Sequence, residues 1–458
     1  MSPETAGPAG LTGFRAALTR LTDALEAVEE LTEFTGTHVM ALDDRERVID
    51  SIIKRRGMPI GEDKRAAALD AAAKFFEVLE AGLGGGVGGV RIELAHIGQM
   101  PPEDGHDDDP EFEKNFEDTF RLAMDEMLDR LEANGIKGRL AMDIVTAYSA
   151  TRIRKPRAAI LYSSLLVTTV GACEVFLGDM MRAFLNARPE AMSASEAKFS
   201  FSEVARFESI QAFRDYSINR QVDSVLRQGS FEDWMKWFDD KLRIKYEDLT
   251  SHGRDLREIF QRRHIHVHND GRVSDLYLLK LPDLADPPTL DEYLEVSPAY
   301  LTSAIDRLRD FAVVLVVAVG RKLFRKDEKS REEINDIGVD TIYQHLKAGK
   351  HHCVIELFQR LYDGFDSEGD RLLTRVNYWV SRARIGDPKV ISEVQAWDTS
   401  TLNPKFKLAR MALLEDHKGA ADLAGELIDR REITRRDYRE WPLLQKVREN
   451  FPEPSLPD

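Results

Sequence analysis

Ten consecutive residues near the middle of the chain, Arg262-Arg263-His264-Ile265-His266-Val267-His268-Asn269-Asp270-Gly271, hold the side chains best suited to chemistry. Imidazole exchanges protons near neutral pH, so the three histidines are candidate acids and bases. A guanidinium is always charged and presents a rigid fork of donors, which suits it to stabilising developing negative charge. Arg263 continues the spacing of Leu256, Ile259 and Phe260. It therefore shares an apolar helical stripe and projects toward the bundle or a symmetry partner rather than straight into water. His266 alternates away from His264 and His268 and at most lines the same cleft.

These residues admit two other readings. Basic groups at a helix C-terminus complement the dipole and cap loose carbonyls, and Arg262, Arg263 and His264 could do that alone. That effect is worth about 0.3–1 kcal/mol and does not call for three alternating histidines. His264, His266 and His268 would line one edge of a strand, and imidazoles bind zinc or iron well. The approach is helical, however, and a helix splays positions i and i+2 apart by ~200°. No carboxylate motif stands ready to complete a metal site. The neighbours His351 and His352 read as surface residues.

The elements that must position this string are predominantly helical. Leu18, Leu21, Leu25 and Val28 recur at helical spacing, as do Phe75, Val78 and Leu79. A strand-like piece is expected at residues 37–42. The glycine run at residues 82–89 lacks a following Lys-Ser/Thr, so it is a turn or linker and not a phosphate loop. An acidic, proline-rich loop is expected at residues 101–110. Helical spacing resumes with Phe116, Phe120, Met124, Met127 and Leu131, ended by Asn134-Gly135. The helix at residues 158–185 is apolar on most faces and should be central to its domain. Ser230 and Asp233 have capping-box spacing ahead of Trp234, Trp237 and Phe238, which read as core. Asn269-Asp270-Gly271 is a turn signal. Ser297-Pro298 opens a helix with the stripe Leu301, Ile305, Leu308, Phe311 and Leu315. Residues 325–329 read as a charged linker. Beyond them, short helical patterns at 352–362, 372–383, 406–414 and 420–428 alternate with breaks at Gly349, Gly364, Gly386 and Asn403. Their lengths suit stacked helical hairpins, TPR-like in size but without a clear repeat consensus.

The expected fold class is therefore all-α, in three parts. Residues 1–150 form a mainly helical region with glycine-rich and acidic loops. Residues 151–325 form a bundle of four or five helices, and residues 326–458 form a helical-hairpin region.

Composition narrows the function classes. The 458 residues are 43% hydrophobic and 31% charged, as in ordinary globular chains. The longest nearly apolar stretch, residues 158–173, is interrupted by serines and threonines and closed by Glu174, short of the ~18 uninterrupted apolar residues of a membrane span. The N-terminus carries no secretory signal, and two distant cysteines, Cys173 and Cys353, make neither a disulfide framework nor a cysteine-based zinc site. A reducing cytoplasm is the expected location, with no membrane partner. The formal net charge of −16 argues against general coating of nucleic acid. Contact with RNA must then come from a local patch. Residues 241–272 form one, with eight basic residues against five acidic ones.

The string around Arg263 resembles the Arg-polar-x-x-x-His motif of HEPN domains. Arg263 matches the arginine, His264 the polar position, more often asparagine in the family, and His268 the terminal histidine. The trailing Asn269-x-Gly271 is also common among such domains. The apolar helix carrying Glu174, Phe176, Leu177 and Asp179 is similar to the opening HEPN helix, which often bears an acidic residue on its inner side. The resemblance covers about residues 155–325. It implies a helical domain that pairs face to face and cuts RNA without a metal or other cofactor, using the 2'-hydroxyl beside the scissile phosphate. It further implies His268 for proton transfer, Arg263 for charge stabilisation and His264 for positioning, with Glu174 and Asn269 in support. The expected function is an endoribonuclease acting as a homodimer on RNA, used in phage defence or as a toxin and restrained by an antitoxin or regulatory protein. The alternatives are a non-catalytic HEPN module that binds nucleotides or partners, and an adaptor whose terminal regions set its role.

Overall fold

The structure is a computed structural model. It describes residues 8–42, 61–82, 110–140, 144, 157–192 and 199–453. Within these lie nineteen α-helices and no β-strand, with a single antiparallel bridge between Arg272 and Tyr293. The protein is all-α. The described residues fall into two compact units. One comprises residues up to Glu29, Leu165–Leu294 and residues from Ala299 onward; the other comprises Glu30–Ser164 and Glu295–Pro298.

Helix α1 (Pro8–Leu42) runs unbroken through residues 37–42, where a strand-like piece was expected. The correction has a simple cause. Extending an existing helix adds one hydrogen bond per residue fixed, which outweighs the few tenths of a kcal/mol by which Thr and Val disfavour it. In the second unit, α2 (Glu62–Gly82) pairs with α3 (Pro110–Ala133) through the edge-to-face rings of Phe75 and Phe120, 5.6 Å apart. Helix α3 stops where Asn134-Gly135 predicts. Residues 83–89 and 101–109 of the glycine-rich and acidic stretches lie outside the described residues.

The site is positioned by the larger unit. Helix α4 (Arg157–Ala187) buries Val170, Cys173, Phe176, Leu177, Met180, Met181 and Leu185. Against the sequence reading, it is long and apolar enough to cross a membrane by length and composition alone. Around it stand α5 (Ile210–Gln228), α6 (Phe231–Leu242), α7 (Gly253–His268) and α9 (Pro298–Leu323), with the short α8 (Asp275–Lys280) between the last two. Their core is aromatic. Phe231 of α6 stacks on Phe260 of α7 at 4.2 Å and meets Phe311 of α9 edge-on at 5.9 Å; Trp237 of α6 meets Phe184 of α4 at 5.7 Å. Trp234, Trp237 and Phe238 are core residues as expected. Ser230 caps α6 reciprocally, its N–H donating to the Asp233 carboxylate at 2.7 Å. The stripe from Leu301 to Leu315 on α9 is fully buried.

The charged stretch 325–329 is a tight capped turn and not a linker. Helix α10 (Glu328–Lys347) begins within it, because the Asp327 carboxylate accepts from the Ser330 N–H at 3.2 Å and from its hydroxyl at 2.6 Å. Gly320 of α9 lies so close to Ile334 of α10 that a Cβ there would sit 2.7 Å from the isoleucine. Further helices follow at His351–Leu361 (α11), Glu368–Arg384 (α12), Lys389–Ala396 (α13), Pro404–Leu413 (α14) and His417–Asp429 (α15), with the expected breaks between them.

Candidate functional site

Helix α7 carries the site at its C-terminal end. Leu256, Ile259, Phe260 and Ile265 bury one side and fix its rotation. On the same turns, the Glu258 carboxylate accepts from the hydroxyls of Tyr277, at 2.8 Å, and Tyr300, at 2.6 Å, and pairs with Arg262 at 2.6 Å. The Arg262 guanidinium lies over the Tyr300 ring, 4.1 Å from its centre. Arg262 is thus an internal strut, which a sequence reading of it as a helix-end cation did not reveal.

The helix ends sharply. Asn269 N–H and Gly271 N–H both donate to the Ile265 carbonyl, at 2.8 and 3.0 Å. Asp270 and Gly271 both have positive φ, and a Cβ at Gly271 would lie 2.6 Å from Tyr293 and 2.7 Å from His266. Only glycine fits there without displacement. The chain then returns antiparallel, with Leu294 N–H donating to the Gly271 carbonyl at 3.0 Å.

Arg263 points from α7 toward α4, as its stripe predicts. Its Nη2 stands 3.5 Å from the Glu174 carboxylate, and the two side chains are 27% and 30% exposed. The Arg263 Nε is buried without an acceptor. Burial pushes the Glu174 carboxyl above the usual range, and the Arg263 charge offsets this in part. One turn apart on the outer side, the rings of His264 and His268 lie 4.7 Å apart at 47°. His264 is half-buried and His268 exposed. Burial above all, then the His268 and Arg263 charges, hold His264 below the ordinary imidazole range.

Arg263, His264, His268 and Glu174 are therefore brought together on α4 and α7. Two other residues are placed differently. His266 does not line the cleft: its Nε2 lies 2.9 Å from the Leu294 carbonyl and its ring meets Tyr293 edge-on at 5.9 Å, because i+2 on a helix faces away. Asn269 donates its amide to the Arg272 carbonyl at 2.7 Å, so its visible role is to close the turn. Asp179, five residues beyond Glu174, pairs with Arg20 at 2.6 Å and Arg182 at 3.4 Å and is not part of the site.

The basic patch is largely internally neutralised. Of its eight cations, five stand in ion pairs: Arg254 with Asp255, Arg257 with Asp283, Arg262 with Glu258, Arg263 with Glu174 and Arg272 with Asp291. At the N-terminal end of α7 an open cleft of about 610 Å³ is lined by Lys236, Lys245, Arg254 and Arg257 together with Glu232, Asp239 and Glu247. The helix rise puts it ~20 Å from His268. Two valines near the site residues in sequence are exposed: Val175, which follows Glu174, is 57% exposed, and Val267, four residues after Arg263, is 46% exposed.

No protein-family model, curated protein or solved structure matches the chain.

Proposed function

We propose that this protein is a HEPN-type endoribonuclease that cuts RNA without a metal ion, as a homodimer in the cytoplasm. One observation carries the reading: a half-buried Arg263–Glu174 pair and an outward-facing His264–His268 pair converge at one open helix end. In this reaction a 2'-hydroxyl loses its proton and its oxygen attacks the adjacent phosphorus. The bond to the 5'-oxygen breaks, and that oxygen takes up a proton. His268, exposed at the helix end and so within reach of substrate, moves the protons. Arg263, with Glu174 holding it across from α4, faces the extra negative charge on the phosphate. His264 positions His268 through their ring contact. The need for a 2'-hydroxyl confines the substrate to RNA.

Exposed Val175 and Val267 flank the pair on both helices, so a two-fold partner docking here would bury them and bring a second Arg263–His268 set to the same linkage. Both cysteines are free thiols, which agrees with a reducing compartment. The helical hairpins after α10 offer a surface for an antitoxin or regulatory protein, as in a phage-defence or toxin effector.

RNA incubated with the protein in EDTA tests the reading. Wild type is expected to cut. His268→Ala should be slower by roughly 10²–10⁴-fold, and Arg263→Ala by roughly 10²–10³-fold. Intact RNA with wild type, or equal cutting by His268→Ala, rejects it.

The second reading is a non-catalytic HEPN module. The net charge of −16 and the paired state of five patch cations favour it, since little free positive charge remains to hold RNA. An Arg263→Ala variant that dimerises and acts in cells like wild type supports this alternative. Relief of growth arrest by that variant counts against it.

A further inference from the structure

Outside the α7 site, three helices of the same unit bring unlike donors to one point. Asp310 lies in the middle of α9, at the start of the apolar run that fills the core. His345 lies in the last turn of α10, and Cys353 in the first turn of α11. Their ligand atoms all lie within 4.8 Å of one another. His345 Nε2 is 2.8 Å from the Asp310 carboxylate, and both side chains are almost fully buried. Cys353 is half-buried, which leaves a way in from solvent.

We propose that Asp310, His345 and Cys353 form a binding site for a divalent transition-metal ion of the zinc type. Nitrogen, sulfur and oxygen donors in one place match the ligand chemistry of zinc, and three protein ligands leave the fourth tetrahedral position to water. Bond lengths of ~2.0–2.3 Å imply ligand separations of roughly 3.3–3.8 Å in a tetrahedron. The three atoms need to move by about an ångström or less from where they stand.

The surrounding charge points the same way. Lys350 binds Glu29 at 2.7 Å and Asp306 at 2.6 Å, and Arg309 pairs with the same two carboxylates. Together with Asp310, three carboxylates face these two cations, so the neighbourhood is acidic on balance. A divalent cation binds the sulfur as thiolate, so its entry releases the thiol proton to solvent.

The test is spectroscopic and does not depend on RNA cutting, so its outcome stands apart from that of the nuclease reading. The full chain, stripped with chelator, is titrated with Co²⁺ alone. One equivalent is expected to give the visible bands of tetrahedral cobalt and a thiolate-to-cobalt band in the near ultraviolet. Cys353→Ser should abolish the thiolate band, and Asp310→Asn should weaken binding by roughly 100-fold or more, since even changes outside the ligand shell cost 10–100-fold. Cys173→Ser, whose thiol is buried elsewhere on α4, should leave the band unchanged, and circular dichroism checks that each variant is folded. Absence of the thiolate band in wild type, or its survival in folded Cys353→Ser, overturns the proposal.

Discussion

His264 and His268 stand one turn apart on α7, yet their surroundings differ, and that difference divides their roles. His268 sits on the last helical residue and is exposed, so it can meet a ligand. His264 is half-buried between His268 and Arg263, and these neighbours and burial oppose its protonation. The folded chain therefore takes up this proton at lower pH than the unfolded chain does. Stability from the neutral ring is complete above the ordinary imidazole range and is lost as pH falls through it. Denaturant midpoints at about pH 7.5 and pH 5.5 check this, since they bracket the unperturbed value near 6.5. Wild type is expected to lose more stability across that interval than His264→Gln. An equal loss in the two proteins would show that His264 is not linked to folding. Arg263 was legible at this scale because side-chain direction follows from helical phase: residues 256, 259, 260 and 263 share a stripe. Its partner Glu174 lies 89 positions earlier in the chain. Its acidic type drew notice through resemblance, but only packing could set the 3.5 Å contact.

At the scale of the element, the end of α7 governs where His268 points. Gly271 accepts a left-handed backbone while Tyr293 and His266 close over the place its side chain would take. Gly271→Ala should cost roughly 1–3 kcal/mol through backbone strain, with a further loss if Tyr293 must swing aside. A urea midpoint lower than wild type with an unchanged slope is the expected result; an unchanged midpoint would mean the turn relaxes freely. Helix positions, caps and turns were legible here because they depend on neighbours within a few residues. The Ser230–Asp233 cap, the Asn134-Gly135 stop and the Asn269-Asp270-Gly271 turn all stand where their residue types place them. The misreadings at 37–42 and 325–329 arose where a local preference was weak. A β-branched residue costs little once a helix is under way, and a run of charges can cap a helix as well as loosen a chain.

At the scale of the whole molecule, the proposed chemistry depends on self-association. Val175 and Val267 are exposed on the two helices that hold Glu174 and Arg263. Val267 is 46% exposed, so Val267→Asp should change the stability of the single folded chain by no more than the range typical of surface changes, about ±0.5 kcal/mol. The same change should convert a dimer to monomers in sedimentation and abolish RNA cutting together with it. A variant that stays dimeric places the self-contact elsewhere and removes the shared cleft from this surface. The acidic total also matters at this scale. With most patch cations answered by carboxylates, RNA must be held by few contacts, so binding should be short in footprint and modest in its dependence on salt.

The order of the residues determined what depends on local phase and local chemistry. It determined the all-α class, the bounds of several helices and the aromatic core of α6. It also determined that Arg263 would face inward near a helix end. Tertiary structure alone decided which distant groups became partners. Glu258 takes Arg262 out of the site by joining it to two tyrosines, Leu294 holds His266 away, and Asp310, His345 and Cys353 meet from three helices. The residues at 151–325 and 326–458, set apart in the sequence by the charged stretch 325–329, pack largely into one compact unit for the same reason. Helical periodicity fixes a side chain's direction from its own turn, whereas a contact between helices depends on the packing of the whole unit, which no short window contains.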